Sequence, residues 1–103
     1  MNDAMNMDQI IREDARLTIL KALDQQTDGR LNSELLRRTL ETFGINKTRD
    51  WVQDEMNWLE SMGTVLIMRA GTVTVAAITT KGRDHVERRL VVTGIKRPSP
   101  PEA

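Results

Sequence analysis

The sequence predicts a single small domain of the α+β class, mainly α with a β-hairpin, in the order helix, helix, helix, hairpin, helix. Three segments place apolar residues at helical spacing, and two of them end at a glycine. Two later runs rich in β-branched residues are joined by the glycine-containing stretch RAGT. With 103 residues, 39% of them hydrophobic, the chain can form one core. We expect a flexible arm at 1–7, a domain at 8–92 and a disordered, proline-containing tail at 93–103.

The first predicted helix covers 8–25 and reads DQIIREDARLTILKALDQ. Asp8 is placed to cap its N-terminus. One apolar face points towards the core, and a second face of Ile10, Leu17 and Leu20 lies roughly opposite. A surface helix of a monomer needs only one apolar stripe. The second face therefore predicts either coverage by the C-terminal helix or the interface of a homodimer.

The second predicted helix, SELLRRTLETF, follows a turn and a very short strand around Leu31. Asn32 or Ser33 is expected to cap it, because short polar side chains accept hydrogen bonds from first-turn amides. Gly44 is placed to end it in a left-handed conformation. The short turn GINK that follows is typical of a helix-turn-helix corner.

The third predicted helix begins after Thr48 as its cap and ends at Gly63. Arg49, Gln53 and Asn57 recur at four-residue steps on its polar face. The opposite arc is apolar and contains Trp51, Val52, Met56, Trp58, Leu59 and Met62. Tryptophans at this spacing are expected in the core rather than stacked on bases.

Glu55 is an exception, because it falls inside the apolar arc of the third helix. A buried carboxylate without a partner is costly, so it should pair with a cation. Arg37 or Arg38 of the second helix is the expected partner.

The predicted hairpin joins 64–68 to 73–78, with Gly71 in the turn. A last helix, TKGRDHVERRLVV, is expected to begin at Thr79 or Thr80. Gly82 in its first turn lowers its helix propensity, so this end is expected to fray. The only histidine, His85, is expected on its surface.

Charge and composition restrict the classes of function. Formal net charge is zero, but 1–60 carry an excess of four acids and 61–103 an excess of four bases. The chain has no cysteine, no clustered histidines and no glycine-rich phosphate loop, so neither a catalytic residue, a metal site nor a cofactor is predicted. It has no apolar run of membrane-spanning length and no secretory h-region. We expect a cytoplasmic, non-enzymatic protein that does not contact a membrane.

Three stretches carry a resemblance to a known superfamily: SELLRRTLETFGINKT, the helix end WLESMG, and the hairpin end ITTKG. Together they resemble the winged helix-turn-helix superfamily, in particular its arsenical-repressor and multiple-antibiotic-resistance types. The likeness covers roughly residues 10 to 90. The chain is also similar in size and pattern to small proteins of Mu-like phages and prophages.

The resemblance implies a transcriptional regulator or DNA-handling factor that inserts the third helix into the major groove of double-stranded DNA. By position, Arg49, Gln53 and Asn57 would face the bases. The DNA backbone would be contacted by Lys47, Thr48, Arg69 and Lys81.

Acidic residues on the third helix keep other interpretations open. Asp50 and Asp54 flank the polar face and would be repelled by phosphates. Either DNA binding is weak and depends on a dimer or a partner, or the fold serves protein contacts. In the second case the acidic face of Asp50, Asp54 and Glu60, or Trp51, would meet a basic partner. A merely solvated helix surface is the third interpretation.

Overall fold

A computed structural model describes residues 6–100 and has the predicted order of elements. The helices are α1 (Met7–Asp24), α2 (Ser33–Thr42), α3 (Arg49–Ser61) and α4 (Thr80–Val86). The strands are β1 (Arg30–Asn32), β2 (Val65–Ala70) and β3 (Val73–Ile78). Three helices followed by a two-stranded wing form a winged helix, so the predicted fold class is confirmed. Most of the arm expected at 1–7 lies outside the described residues.

Polar caps set where the helices begin. Asn32 accepts from the Leu35 amide at 2.8 Å and so starts α2, and Thr48 accepts from the Trp51 amide at 3.1 Å and so starts α3. The predicted cap of α1 was wrong: Asn6 is the cap, and Asp8 lies in the first turn. A carboxylate in that turn is stabilised by the helix dipole, which explains why the two positions are easily confused.

Left-handed glycines end α2 and α3 in the same way. Gly44 has φ of 87°, and the amide of the next residue, Ile45, reaches back to the Leu40 carbonyl at 2.8 Å. Gly63 has φ of 77° and is followed by the corresponding bond from Thr64 to the Leu59 carbonyl. This is the Schellman arrangement, which satisfies carbonyls that the helix leaves free. It turns the chain sharply from α3 into the wing.

The sheet has three antiparallel strands in the order β1-β3-β2. The wing pairs Val65 with Ile78 at its base and Ala70 with Val73 at its tip, where Gly71 has φ of 64°. A two-residue turn with glycine at its first position matches the twist of a hairpin. The short strand β1 pairs along β3, so the wing is attached to the start of α2.

The second apolar face of α1 is covered by the chain itself. Leu17 and Leu20 are buried in a core that also contains Val92 and Ile95 from the segment after α4. Of the three residues predicted for an interface on this face, only Ile10 remains exposed. The prediction that Leu17 and Leu20 form a dimer interface was therefore wrong, and coverage by the C-terminal part of the chain is observed instead.

The C-terminal part of the chain returns to α1 instead of continuing as a helix. The helix α4 ends at Val86, and Arg88 adopts a left-handed φ of 64°. Further along, the Lys96 amide donates to the Glu13 carbonyl of α1 at 3.1 Å. Ile95 is buried, so the ordered domain extends beyond the predicted limit at residue 92. Residues 101–103 of the predicted tail lie outside the described part.

His85 holds this returning segment and is fully buried, not on the surface as predicted. Its Nδ1 accepts from the Val92 amide at 3.1 Å, and its Nε2 lies 3.0 Å from the Lys96 carbonyl oxygen. Both contacts are satisfied by a neutral ring that carries its proton on Nε2. One imidazole therefore replaces the regular hydrogen bonds that the segment lacks.

Gly82 permits the close approach of α4 to the chain that leads into the wing. A Cβ at this position would lie 2.4 Å from the Thr64 carbonyl oxygen and 2.8 Å from Cγ1 of Ile78. The start of α4 is also capped, because Thr79 accepts from the Gly82 amide at 3.1 Å. The predicted fraying is thus not observed: the glycine is required by packing, and its cost in helix propensity is offset by the cap.

We predict that Gly82→Ala lowers the free energy of unfolding by about 2–3 kcal/mol, because the backbone around Thr64 must move to admit the methyl group. Lys81→Ala, at the neighbouring exposed position, should change it by less than about 0.5 kcal/mol. Urea unfolding followed by circular dichroism would measure both. Equal stability of the two variants would contradict the packing argument.

Glu55 lies in the core and is bound by two arginines of α1. The carboxylate is only 2% exposed. Arg12 Nη1 and Arg16 Nε each donate to one of its oxygens at 2.5 Å. The predicted pairing with Arg37 or Arg38 of α2 was wrong. The spacing of the two donors explains the geometry, since residues four apart on α1 lie on the same helix face.

Arg16 makes further contacts that tie α1 to the rest of the fold. Its guanidinium lies 3.8 Å from the ring centroid of Trp58, and Nη1 donates to the Gly94 carbonyl at 2.8 Å. One buried side chain therefore joins α1, α3 and the returning segment. The other arginine of the cluster, Arg12, has a raised pKa. The main cause is its hydrogen bond to Asp8, and the next is its hydrogen bond to Glu55, so it stays cationic.

We predict that Arg16→Leu lowers the free energy of unfolding by about 3–5 kcal/mol, since it leaves a buried carboxylate with incomplete pairing. Arg38→Leu removes the same charge from a surface ion pair with Glu34 and should cost less than about 1 kcal/mol. Chemical unfolding monitored by circular dichroism would compare them. A loss for Arg16→Leu no larger than for Arg38→Leu would refute the structural role of the cluster.

Candidate nucleic-acid interface

The polar face of α3 carries three side chains whose polar groups have no partner in the rest of the described chain. Arg49 and Asn57 are exposed and Gln53 is half-buried. Their four-residue spacing places all three along one side of the helix. No hydrogen bond or ion pair joins these side chains to other groups of residues 6–100. The three donors can therefore meet an external surface.

Arg49 also adjoins the tip of the wing. It lines a shallow groove of about 120 Å³ together with Thr72 and Val73 of the wing. The other lining residues lie at the start of α2 and include one carboxylate: Asn32, Ser33 and Glu34. The N-termini of two helices and the wing tip thus meet around one arginine. Helix N-termini favour anions, because their amide dipoles point outward. Sequence reasoning missed this convergence because the wing tip carries little charge of its own.

The cation before α3 is partly engaged with an aromatic ring. Lys47 Nζ lies 5.4 Å from the ring centroid of Trp51, and Arg12 lies 5.3 Å from the same ring. Thr48 uses its hydroxyl oxygen to cap the helix. Trp51 is half-buried between two cations, so its ring is less available for base stacking than a free indole. Lys47 and the amide dipoles of the first turn still place positive potential at the exposed end of α3.

The other two predicted backbone contacts lie on different elements, one on the wing and one at the opposite end of α3. Arg69, on the wing, donates to the Thr74 hydroxyl at 3.4 Å and is exposed. Lys81 lies beside Gly63, at the far end of α3. With 13 residues in α3, the two ends are about 20 Å apart at about 1.5 Å per residue. The structure therefore brings Lys47, Thr48 and Arg49 together but places Lys81 elsewhere.

Most of the acidic residues of α3 have structural partners. Glu55 is buried in its arginine cluster, and the Glu60 carboxylate accepts from the Ile67 amide of β2 at 2.9 Å. Asp50 lies in the first turn, where a negative charge stabilises the helix dipole. Asp54 is exposed and forms no ion pair within residues 6–100. Folding therefore accounts for Glu55 and Glu60, whereas Asp50 and Asp54 remain exposed beside the polar face.

The two arginines of α2 are held by Glu34. Arg37 donates two hydrogen bonds to its carboxylate, at 3.0 and 2.9 Å, and Arg38 donates one at 3.1 Å. The bonds from Arg37, and more weakly those from Arg38, lower the pKa of Glu34 to about 2. This cluster neutralises positive charge that would otherwise lie next to Arg49.

The outer face of the wing sheet is apolar, a feature that the sequence analysis did not identify. Leu66 is 61% exposed, and Met68 and Val73 on the same face are also exposed. Side chains alternate between the two faces of a strand, so the opposite face packs on the core through Val65 and Ala76. The signal was the lack of polar alternation in TVLIM and VTVAAI, which indicates strands apolar on both faces.

We predict that the Glu34 carboxyl carbon titrates by NMR with a midpoint near pH 2, well below the usual value of about 4.3. Because the pKa is lowered on folding, the ion pair stabilises the fold above the usual glutamate pKa. That contribution is lost as the pH falls towards 2. Arg37→Gln should raise the midpoint more than Arg38→Gln does. A wild-type midpoint near 4 would contradict the bidentate pairing.

Two further features limit the kinds of site present. Among residues 6–100, no group of three His, Cys, Asp or Glu side chains could hold a metal ion. None of the helices in the described part is long and apolar enough to cross a bilayer.

Comparison with solved structures supports the fold. A complex structure of hsRosR-S4 matches 77% of this chain and 73% of that chain, with a TM-score of 0.61 and 20% sequence identity. At this level of identity the likeness concerns the fold alone. No protein-family model matches the chain.

Sequence comparison finds relatives that match over nearly their whole length. A Haemophilus influenzae protein is 26% identical over 98 residues, which is 95% of each chain. The protein gp26 of Escherichia phage Mu is 33% identical over 94 residues, covering 91% of this chain and 97% of gp26. At this identity and coverage, the chain belongs to the family of phage Mu gp26.

Proposed function

We propose that the protein binds double-stranded DNA by inserting α3 into the major groove, as a regulator or DNA-handling factor of a phage or prophage. One observation carries the proposal: Arg49, Gln53 and Asn57 lie on one side of α3, and their side chains form no hydrogen bond or ion pair within residues 6–100. Arginine can bind guanine with two hydrogen bonds, and glutamine or asparagine can do so with adenine. No catalytic step is part of this function.

The surroundings of α3 support the proposal and suggest a modest affinity. Lys47 and Arg49 lie at the N-terminus of α3, and the wing tip adjoins Arg49. Asp54 lies one turn along from them and would be repelled by phosphates. With few free cations near α3, the electrostatic part of binding should be small. A second protein copy or a partner would then be needed for tight binding.

We predict that a labelled random duplex binds at about 50 mM salt and dissociates as salt rises, because binding releases counterions. Fluorescence anisotropy would measure the affinity. Arg49→Ala should weaken it, because the variant loses a cation at the end of α3 that would enter the groove. Asp54→Asn should tighten it, since one repulsive charge is removed.

Lys81→Ala provides the matched control, because this cation lies at the opposite end of α3 and its loss should change the affinity little. Absence of salt-dependent binding at about 50 mM salt would exclude the proposed function. Equal effects of Arg49→Ala and Lys81→Ala would exclude insertion of α3 and leave only a diffuse attraction.

The apolar outer face of the wing favours a second candidate function, a contact with another protein. An exposed patch that includes Leu66, Met68 and Val73 is the kind of surface that proteins cover on association. The hypothesis that the acidic face of α3 or Trp51 binds a basic protein is weakened, because Glu60 is bonded to β2 and Trp51 is flanked by cations. Sedimentation velocity would test self-association through the patch, which Leu66→Lys should abolish. A wild-type protein that stays monomeric would exclude this contact between copies.

A further inference from the structure

A groove between α1, the end of α2 and the returning segment has the size and lining of a small-molecule site. Its volume is about 310 Å³, at the lower end of the range of about 300–1,000 Å³ found for ligand pockets. One wall is α1, the second is the end of α2, and the third is the returning segment at 96–99. No residue of α3 or of the wing contributes to it.

The lining combines an apolar part with a cationic rim. Leu17 and Ala22 form part of the floor, and the rim carries Lys21, Lys96 and Arg97. Lys21 and Arg97 form no ion pair within residues 6–100, and Lys96 lies 3.9 Å from Asp14. Three cations thus face one carboxylate. An anion can enter this site and gain charge-assisted hydrogen bonds without displacing an existing close pair.

Phe43 supplies an aromatic contact at the mouth of the groove. It is the only phenylalanine of the chain, and it is 69% exposed at the end of α2. A large exposed ring next to an apolar floor can be covered by a flat apolar group, which gains both burial and ring stacking. The lining therefore favours a ligand that is apolar at one end and anionic at the other.

The third wall is fixed in place before any ligand binds. The Lys96 amide donates to the Glu13 carbonyl at 3.1 Å, and the Lys96 carbonyl oxygen lies 3.0 Å from Nε2 of the buried His85. The backbone that carries two of the three rim cations is thereby attached to both α1 and α4. Such preorganisation lowers the entropic cost of binding.

From this geometry we infer that the groove binds a small organic anion, with a carboxylate or sulfonate at the cationic rim and an apolar ring against Phe43 and Leu17. The ligand would bridge α1 and α2, the first helix of the helix-turn-helix pair. Because the groove shares no residue with the proposed DNA-binding face, the inference stands or falls independently of DNA binding.

The fluorescent probe anilinonaphthalene sulfonate, an aromatic anion, tests the inference. The full-length protein should bind it with enhanced fluorescence and one-to-one stoichiometry. Lys21→Glu combined with Arg97→Glu should weaken binding by at least about tenfold, or about 1.4 kcal/mol. Phe43→Ala should also weaken it. The neutral analogue phenylnaphthylamine should bind less tightly to the wild type than the sulfonate does.

Arg30→Glu is the control, because it makes the same change of charge as each groove substitution at an exposed position outside the groove. This variant should keep the wild-type affinity for the probe within about twofold. Circular dichroism of every variant would show that the fold is intact. Equal weakening by the control and the groove variant, no effect of the groove variant, or no binding by the wild type would each overturn the inference.

Discussion

The pairing of one buried carboxylate with two arginines determines how the helices of this domain are arranged. Glu55 faces the core from α3, and α1 supplies Arg12 and Arg16 at a spacing that lets both reach it. Such a group is expensive to bury unless its lone pairs are satisfied, so alternative packings of α1 on α3 are disfavoured. The same arginine that neutralises the carboxylate also stacks on Trp58 and binds the chain at Gly94. The orientation of the exposed face of α3 follows from this constraint.

The cluster also changes how the charge of α3 should be read. A count of acids and bases along the helix suggests a surface that repels DNA. In the folded protein, one acid is buried, one is bonded to the wing and one lies at the favourable end of the helix dipole. An approaching molecule meets a row of neutral and cationic donors flanked by the exposed carboxylates of Asp50 and Asp54. Formal charge per segment is therefore a poor guide when carboxylates have structural partners.

Local signals made most of the fold predictable from the sequence. Polar caps such as Asn32 and Thr48, and the glycines that end α2 and α3, act within one turn of chain, so the residues themselves fix these boundaries. The wing was equally clear from its β-branched runs around Gly71. The face of α3 that carries the candidate site followed from helical spacing alone.

Apart from the cap of α1, the errors concern contacts between residues far apart in the chain. The partners of Glu55 come from a helix some forty positions earlier, and nothing local distinguishes them from the arginines of α2. The return of the chain after α4 depends on a buried histidine whose role appears only when the segment is in place. The wing-tip groove around Arg49 likewise requires three elements to meet. Such features depend on tertiary packing, which periodicity does not encode.

The bond from Ile67 to Glu60 has a consequence for how the wing can associate with other molecules. An edge strand has unpaired backbone amides and carbonyls that can pair with an extended segment of another chain, and such pairing is a common route to aggregation. In β2 the Ile67 amide already donates to the Glu60 carboxylate. This negative charge lies in the position that the backbone of an added strand would occupy. Strand addition and fibril-like growth are therefore disfavoured at the β2 edge of the sheet, and the wing can contact other molecules mainly through its side chains.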